Sequence, residues 1–145
     1  MSDRYTDRET ALKTILATEL GSTYTVSNKI SMNLGAGANK YNVLVQWLGF
    51  GNEINSGTTC FQTDRERYRI ICCPIAGATD DTVNEQLNIM AAAVIDVLRD
   101  YSKVNAATVD AGECLTQFRV DSVEKGYYQK RLSVQIEFSF LVDEG

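Results

Sequence analysis

The side chains with the most versatile chemistry in this sequence are four cysteines, Cys60, Cys72, Cys73 and Cys114. A thiolate can bind a metal, form a disulfide or act as a nucleophile. None of the four has the C-x-x-C spacing of a zinc ribbon or a redox motif, and the adjacent Cys72 and Cys73 would point to opposite faces of a strand. The sequence therefore predicts free thiols that act as small apolar side chains. The alternative is a disulfide between subunits through Cys60, which lies in a predicted loop.

Other catalytic chemistry lacks the residues that it needs. The chain has no histidine, which excludes Ser-His-Asp and Cys-His nucleophilic sites and the usual ligand of catalytic zinc. The segment GAGANK at 35–40 is similar to a phosphate-binding loop only in composition, because its glycine spacing is wrong and it leads into a strand pattern. Carboxylate pairs have no recognisable cleft or metal-ligand loop around them. We therefore expect no catalytic residue, no cofactor and no metal, and a protein that is not an enzyme.

Three arginines, Arg65, Arg67 and Arg69, lie two residues apart and would share one face of a strand. A guanidinium group binds phosphate or carboxylate oxygens with two hydrogen bonds, so this stripe could hold an acidic partner. The alternative is a solvated face whose charge is balanced by Asp64, Glu66 and acids on a neighbouring strand. No aromatic side chains interleave with the stripe, which disfavours a base-stacking surface for nucleic acid.

Acidic residues outnumber basic ones by 19 to 14 and give a formal net charge of −5. The field of such a protein repels nucleic acid and anionic lipid. Asp96 and Asp100 form a like-charge i, i+4 pair near the end of a predicted helix, which is mildly unfavourable in isolation. Either solvent with Arg99 and Lys103 offsets this repulsion, or a basic group on a neighbouring subunit does.

Hydropathy predicts a soluble protein. No apolar run reaches the 18 residues that indicate a membrane span, so we expect no membrane partner. The charged start MSDRYTDRET has no apolar core and is not expected to be a signal peptide. We expect synthesis and assembly in the cytoplasm.

Apolar side chains recur in a segment at about 49–65 that has no sustained helix or strand period and is rich in Gly, Asn and Thr. A long irregular loop is uncommon in a small domain and tends to be functional or disordered. Its apolar side chains either fold back over the core or bind another chain. We predict a subunit or partner interface made of Phe50, Ile54, Phe61, Arg65, Arg67 and Arg69.

Two segments have the apolar spacing of helices. The first covers about 7–20, where Thr6 and Glu9 fit a capping box and Gly21 supplies a left-handed stop. The second begins at Asp80, and its apolar residues cover more than one stripe. A helix this apolar must be covered on more than one side, by its sheet and by another helix or a neighbouring chain.

Five segments have strand patterns: 23–32, 40–48, 66–74, 113–123 and 131–142. A Gly- and Asn-rich connection suits an antiparallel hairpin between the first two, and residues 124–126 are the predicted turn between the last two. The order α-β-β-β-α-β-β predicts an α+β fold in a single domain at 1–145. We expect a mixed, mostly antiparallel sheet of about five strands with two helices packed on one face.

Taken together, these elements resemble a known family. They are a capped N-terminal helix, a β-pair with a long loop, a central helix opening with DDTVNEQ at 80–86, and a closing long hairpin that ends with RLSVQIEFSF at 131–140. In length, element order and terminal strand the chain resembles the tail terminator, or tail completion, proteins of tailed bacteriophages. The resemblance covers nearly the whole chain.

The resemblance implies a structural virion protein rather than an enzyme. Proteins of that family form a ring, typically of six copies, at the head-proximal end of the tail. The ring ends tail-tube polymerisation and joins the tail to the neck. The implied partners are other copies of the chain, the tail-tube protein and a neck or connector protein, while DNA passes through the lumen without sequence-specific binding. The alternatives are another neck component, such as a head-closure or connector-adaptor protein, and a small α+β ligand-binding module. The family supplies no functional residue that maps onto a position here.

Overall fold

The computed structural model of this chain describes residues 4–29, 41–54, 62–74, 80–100, 114–128 and 131–143. Seven elements follow one another in the predicted order α-β-β-β-α-β-β, which confirms the α+β fold class. They are α1 (Arg4–Leu20), β1 (Tyr24–Ser27), β2 (Tyr41–Ile54), β3 (Gln62–Cys73), α2 (Asp80–Arg99), β4 (Cys114–Tyr128) and β5 (Arg131–Asp143).

The five strands form one mixed sheet in the spatial order β1-β2-β3-β5-β4. β1 runs parallel to β2, and every other neighbouring pair is antiparallel. Both helices cover the same face of the sheet, with α1 over β1 and β2 and α2 over β3, β5 and β4. The helices also contact each other. The fold therefore has two layers, a pair of helices and a sheet.

The main core lies between these layers. Alternate residues of the central strands point towards the helices, and the largest fully buried side chains among them are Tyr68, Phe138 and Phe140. The rings of Tyr68 and Phe138 are stacked with centroids 5.4 Å apart, while Phe138 and Phe140 meet edge to face at 5.9 Å. The helices contribute the apolar faces that their spacing predicts, chiefly Leu12, Leu16, Leu87, Met90, Val94 and Leu98.

The rear face of the sheet, opposite the helices, also has fully buried apolar side chains. Leu44, Ile71 and Cys73 form a second small cluster, against which Tyr128 packs. Cys72 belongs to the helix-side core, so the two adjacent thiols point to opposite faces as predicted. Both are free and buried, which confirms the prediction of thiols that act as apolar side chains at these two positions.

The first helix begins earlier than predicted. It starts at Arg4, so Thr6 lies within the helix and the predicted capping box is wrong. Glu9 is used elsewhere, because its Oε2 accepts a hydrogen bond from the backbone amide of Trp47 in β2 at 2.7 Å. The end of the helix is as predicted: Gly21 has a φ of 87°, and its amide donates to the last turn at 3.3 Å.

The first two strands pair differently from the prediction. Tyr24 lies beside Tyr41 and Ser27 beside Leu44 in a parallel pair, so the predicted antiparallel hairpin is wrong. Parallel neighbours need a connection of about a dozen residues or more, and the thirteen residues at 28–40 meet that need. The alternation of apolar residues is the same for either direction of pairing, so periodicity could not decide between them.

The predicted irregular loop at 49–65 is largely strand. β2 continues to Ile54 and β3 begins at Gln62, and these two ends pair with each other. Residues 55–61 lie outside the described part of the chain. A β-bulge at Gly49, which has a φ of 114°, adds one residue to β2 and shifts its alternation. The shift explains why the sequence period fails at this point.

The closing hairpin is longer than predicted. β4 runs to Tyr128, and the expected turn at 124–126 is wrong because these residues pair with β5, with Gly126 opposite Ser133. Two register shifts interrupt the first half of β4, and Gln117 has a φ of 49° at one of them. These bulges break the alternation by which a strand is recognised. β5 has no such shift and occupies the segment predicted for it.

Replacing Gly21 with Ala should lower the free energy of unfolding by roughly 1 kcal/mol, because a side chain disfavours the left-handed backbone conformation. An added Cβ at Gly21 meets no atom within 4 Å, so the loss would come from the backbone alone. Gly126→Ala is the matched control, since an added Cβ there also meets nothing and the strand φ suits any residue. Urea unfolding of both variants measures the difference, and an equal loss in the two would contradict the expectation.

Stability should fall as the pH rises above about 9. Burial raises the pKa of the Cys72 thiol above its ordinary value of 9.0. Burial, followed by the nearby Glu66 carboxylate, raises the pKa of the Tyr68 hydroxyl above 10.0. The unfolded chain releases these protons first, so the free energy of unfolding decreases with pH in this range. Cys72→Ala should be less stable at neutral pH but should lose less stability between pH 9 and 10.5. If the free energy of unfolding of Cys72→Ala fell with pH as steeply as that of the unchanged chain, the expectation would be wrong. Tyr127→Phe, at an exposed position, is the control.

Candidate assembly surface

A buried ion pair joins α1 to β3. Arg8 and Glu66 are 3% and 2% exposed, and Nη1 of Arg8 donates to Oε1 of Glu66. The other carboxylate oxygen accepts a hydrogen bond from the Tyr68 hydroxyl at 3.1 Å. The Tyr68 hydroxyl is protonated at neutral pH and donates; burial and then the Glu66 charge raise its pKa further above the ordinary value of 10.0. These three side chains fix where the first helix lies on the sheet.

Glu9, the residue after Arg8 in α1, accepts a hydrogen bond at the edge of the same sheet. β1 pairs with β2 only as far as Leu44. Farther along β2, the backbone amide of Trp47 donates to the carboxylate of Glu9 at 2.7 Å. A side chain from the helix thus satisfies a donor of the sheet edge. The ion pair at Arg8 and the edge bond at Glu9 belong to one turn of helix.

An open hollow of about 270 Å³ lies beside this bond. It is lined by Glu9, Asn28, Gln46, Trp47, Leu48 and Arg69. Oε1 of Gln46 accepts hydrogen bonds from Nε and Nη2 of Arg69 at 3.1 and 2.7 Å, so several polar groups of the hollow already bond to one another. Leu48 is 36% exposed. The hollow therefore places the exposed Leu48 near one basic residue, Arg69, and one acidic residue, Glu9.

The structure separates the three arginines that the sequence placed in one stripe. Arg65 is 6% exposed, and its Nη1 donates to Oγ of Ser139 at 2.9 Å and to the Gln117 carbonyl at 3.0 Å. It therefore connects β3 to β5 and β4, and the interface role predicted for it is not supported by its burial. Arg69 is half-buried and bonds across to β2, while Arg67 between them is exposed.

The charge balance proposed for this stripe is also partly wrong. Glu66 lies on the helix side with Tyr68, where it binds Arg8, so it cannot offset the rear-face arginines directly. In the described part of the chain, Arg67 makes no salt bridge or side-chain hydrogen bond. On the neighbouring strand, Glu137 of β5 lies opposite Arg69, as expected of an acid that balances the stripe. Of the three stripe arginines, Arg67 is exposed and Arg69 is half-buried.

The outer side of α2 combines acidic and apolar residues. Glu85, Ile89, Ala92 and Asp96 recur at steps of four, three and four, so they share one face of the helix. All four are exposed, and Ile89 is 53% exposed. We call these four residues the acidic stripe. The sheet and α1 cover the other sides of α2, which is one of the two arrangements that its apolar composition predicted.

The remaining predicted interface residues are not placed by the structure. Phe50 and Ile54 belong to β2, but their side chains are not described. Cys60 and Phe61 lie outside the described residues, as does Lys103 near the acidic pair of α2. Interface contacts through these residues, and a disulfide through Cys60, stay predictions.

Sequence reasoning missed the buried ion pair, although a signal for it exists. Arg8 is in phase with Leu12 on the apolar face of α1, and Glu66 is in phase with Tyr68 on the apolar face of β3. A charged residue in an apolar phase on each of two elements indicates a buried pair of opposite charge. The hollow has no comparable signal, because its residues come from four separate places in the chain.

A scan against protein-family models and a search of the curated proteins each find no match to this chain. Over the described ranges, no group of three or more His, Cys, Asp or Glu side chains could hold a metal ion. The same part of the chain has no helix that is long and apolar enough to cross a membrane. Function must therefore be inferred from the fold and from the surfaces described above.

Arg8→Met should lower the free energy of unfolding by about 3–5 kcal/mol, because it leaves the Glu66 carboxylate buried without its cation. Adding Glu66→Gln removes the stranded charge and keeps an acceptor for Tyr68, so the double variant should be more stable than Arg8→Met alone. Urea unfolding of both single variants and the double variant measures this coupling.

Arg119→Met is the matched control. It breaks an exposed pair with Asp121, whose Nε to Oδ1 distance is 2.6 Å, and an exposed pair should cost less than about 1 kcal/mol. If the losses of Arg8→Met and Glu66→Gln simply added in the double variant, the two side chains would not be coupled and the expectation would be wrong.

Proposed function

We propose that this chain is a structural virion protein that forms a ring at the head-proximal end of a bacteriophage tail. The ring ends tail-tube polymerisation and joins the tail to the neck. Support comes from the resemblance of the sequence to tail terminator proteins. The observation that carries the proposal is the element order with its long closing hairpin β4–β5, because that order and the terminal strand are what the resemblance consists of.

Exposed apolar side chains on the closing hairpin support contact with other chains. Tyr127 is 76% exposed, and Val123 on the same strand is 46% exposed. β4 is an edge strand of the sheet, and edge strands are natural sites for contact between chains. Lys125 lies between the two apolar residues and donates to Oδ1 of Asn84 in α2 at 2.5 Å. This side of the subunit suits binding to a protein partner.

The net charge of −5 also suits the proposed position. DNA must pass through a ring that lies between a phage head and its tail. A lumen lined by an acidic protein does not retain the phosphate backbone, so the duplex can slide. The protein would act by binding and not by catalysis. One surface of the ring would bind the last ring of the tube, and the bound subunits would offer no site for another tube subunit.

Two alternatives differ from this proposal in their partners. A head-closure or connector-adaptor protein would form a similar ring but would bind other neck proteins rather than the tail tube. A ligand-binding module would use the hollow of about 270 Å³. That use is less well supported, because Gln46 and Arg69 in the hollow bond to each other and Glu9 bonds to the Trp47 amide.

Native mass spectrometry over a range of protein concentrations, with and without reductant, tests the proposal. We expect a closed oligomer, six copies in particular, that appears as a ring with a central opening by electron microscopy. Loss of the ring in reductant would indicate intersubunit disulfides. A chain that stays monomeric both alone and when added to assembled tail tubes would contradict the proposal. Binding of a small ligand by such a monomer would favour the module instead.

A further inference from the structure

The outer edge of β4 is open over the described part of the chain. β4 is the last strand in the spatial order of the sheet and pairs with β5, and none of the described strands pairs with its other side. The backbone donors and acceptors along such an edge are a template for pairing with another strand. Proteins protect their edges with bulges and with charged side chains, lysine in particular. The two halves of β4 differ in which of these they have.

The first half of β4 carries the bulges. Its register against β5 shifts between Thr116 and Arg119 and again between Val120 and Ser122. A bulge bends the strand and leaves a residue out of the ladder, so a regular partner strand cannot follow this half. From Ser122 to Tyr128 the register has no shift. We call these seven residues the regular run of β4, and they are the part of the edge with which another strand can pair.

The regular run presents exposed apolar side chains. Val123 and Tyr127 are 46% and 76% exposed, although they lie opposite Ile136 and Leu132 of β5, which belong to the helix-side core. Residues directly opposite one another share a face of the sheet, so both side chains are on the side of the helices. Their exposure shows that α2 does not cover them. Lys125 lies between them on the same face and is also exposed.

The pattern of the regular run is complementary to itself. Lys125 is its middle residue, with three residues on either side. If two copies paired antiparallel about a two-fold axis, residues equidistant from the axis would face each other, and an axis at Lys125 is the one that pairs the whole run. Val123 of each copy would then lie opposite Tyr127 of the other, and pairs of a β-branched and an aromatic side chain stabilise a sheet. On the rear side Glu124 would face Gly126. A second copy of the chain therefore fits this edge.

The same axis would bring the Lys125 side chains of the two copies directly opposite each other. Like charges in that position are destabilising. Nζ of Lys125 donates to Oδ1 of Asn84 in α2 at 2.5 Å, which holds the ammonium group on the side of the helices. In the described part of the chain no carboxylate forms an ion pair with Lys125. An uncompensated positive charge thus lies at the centre of the pairing surface.

We propose that the regular run of β4 is a pairing surface for a second copy of this chain, and that Lys125 keeps two copies from pairing through it. The bulges protect the first half of the edge, and the lysine protects the second half. A two-fold pair through β4 would cover the side of the subunit that the proposed function assigns to a protein partner. The proposal goes beyond that function, because it applies to a subunit whether or not the subunit forms a ring.

Removal of the charge tests the proposal. Lys125→Thr should double the copy number found by native mass spectrometry for the unchanged chain, because threonine suits a strand and has no charge. Hydrogen exchange should slow at 122–128 in the paired sample, where edge amides gain acceptors. Adding Tyr127→Ser should restore the copy number of the unchanged chain, since it removes one member of both cross-strand pairs. Lys29→Thr is the matched control, because it removes an exposed positive charge outside β4; it should assemble as the unchanged chain does.

A mixture of two chains tests the register and does not depend on the folding of Lys125→Thr. Lys125→Glu alone should stay unpaired through β4, because two carboxylates would meet at the axis. Mixed with the unchanged chain, it should form one-to-one pairs, since its introduced carboxylate faces Lys125 of the other copy. Labelling one of the two chains with heavy nitrogen identifies these mixed pairs by mass. Damage to the fold could not produce them.

Three results would overturn the proposal. One is a folded Lys125→Thr chain, or a mixture with Lys125→Glu, that keeps the copy number of the unchanged chain. Another is pairing without slower exchange at 122–128, which would place the contact elsewhere. The third is protection of 122–128 that rises with concentration in the unchanged chain, which would show that Lys125 does not prevent pairing. The proposed ring fails separately, because it is judged from the unchanged chain alone and the pairing from the difference between that chain and its variants.

Discussion

The buried ion pair between Arg8 and Glu66 is the constraint on which the arrangement of the helices depends. A buried pair of charges contributes little net stability, because the loss of hydration offsets the attraction, but it strongly disfavours any packing that separates the partners. With Tyr68 as a second donor to the same carboxylate, the pair sets one position of α1 on β3. Glu9, the next residue of the helix, lies at the edge of β2 and bonds to the Trp47 amide. The ion pair and the bond beside the hollow are thus made by consecutive residues of α1.

The strict alternation of a strand decides which charges reach the surface. β3 carries Glu66 on the helix side and the three arginines on the rear face, so one acidic and three basic residues that are mixed in sequence are separated in space. The rear face then divides the arginines again. Arg65 is buried and donates hydrogen bonds to Ser139 and to the Gln117 carbonyl in the irregular part of β4. Of the three arginines, Arg67 and Arg69 are the ones nearer to solvent. Arg69 alone of the three is among the residues that line the hollow, together with the acidic Glu9.

Periodicity predicted the elements well and their connections poorly. Both helices, the order of all seven elements and the uninterrupted β5 follow from apolar spacing in the sequence. The errors fall where backbone geometry, rather than side-chain pattern, decides: the bulge at Gly49, the irregular half of β4 around Gln117, and the direction of β1 relative to β2. The bulge inverts the alternation of β2, so β2 looked like a loop beyond it. The first residues of β3, QTDR at 62–65, have no apolar side chain from which a strand could be predicted. The hollow could not be predicted from the sequence for a different reason: residues that are distant in sequence line it.

The polar groups inside the fold and the exposed groups on its surface differ in how they are bonded. In the described part of the chain, the polar groups that converge bond to one another: Glu9 to a backbone amide, Gln46 to Arg69, and Glu66 to Arg8 and Tyr68. The exposed groups are of another kind, because they lie on α2 and β4 and at the hollow, apart from each other and with apolar neighbours. Exposed apolar side chains on separate sides of the subunit, such as Ile89 on α2 and Tyr127 on β4, are the groups that the proposed assembly role would use.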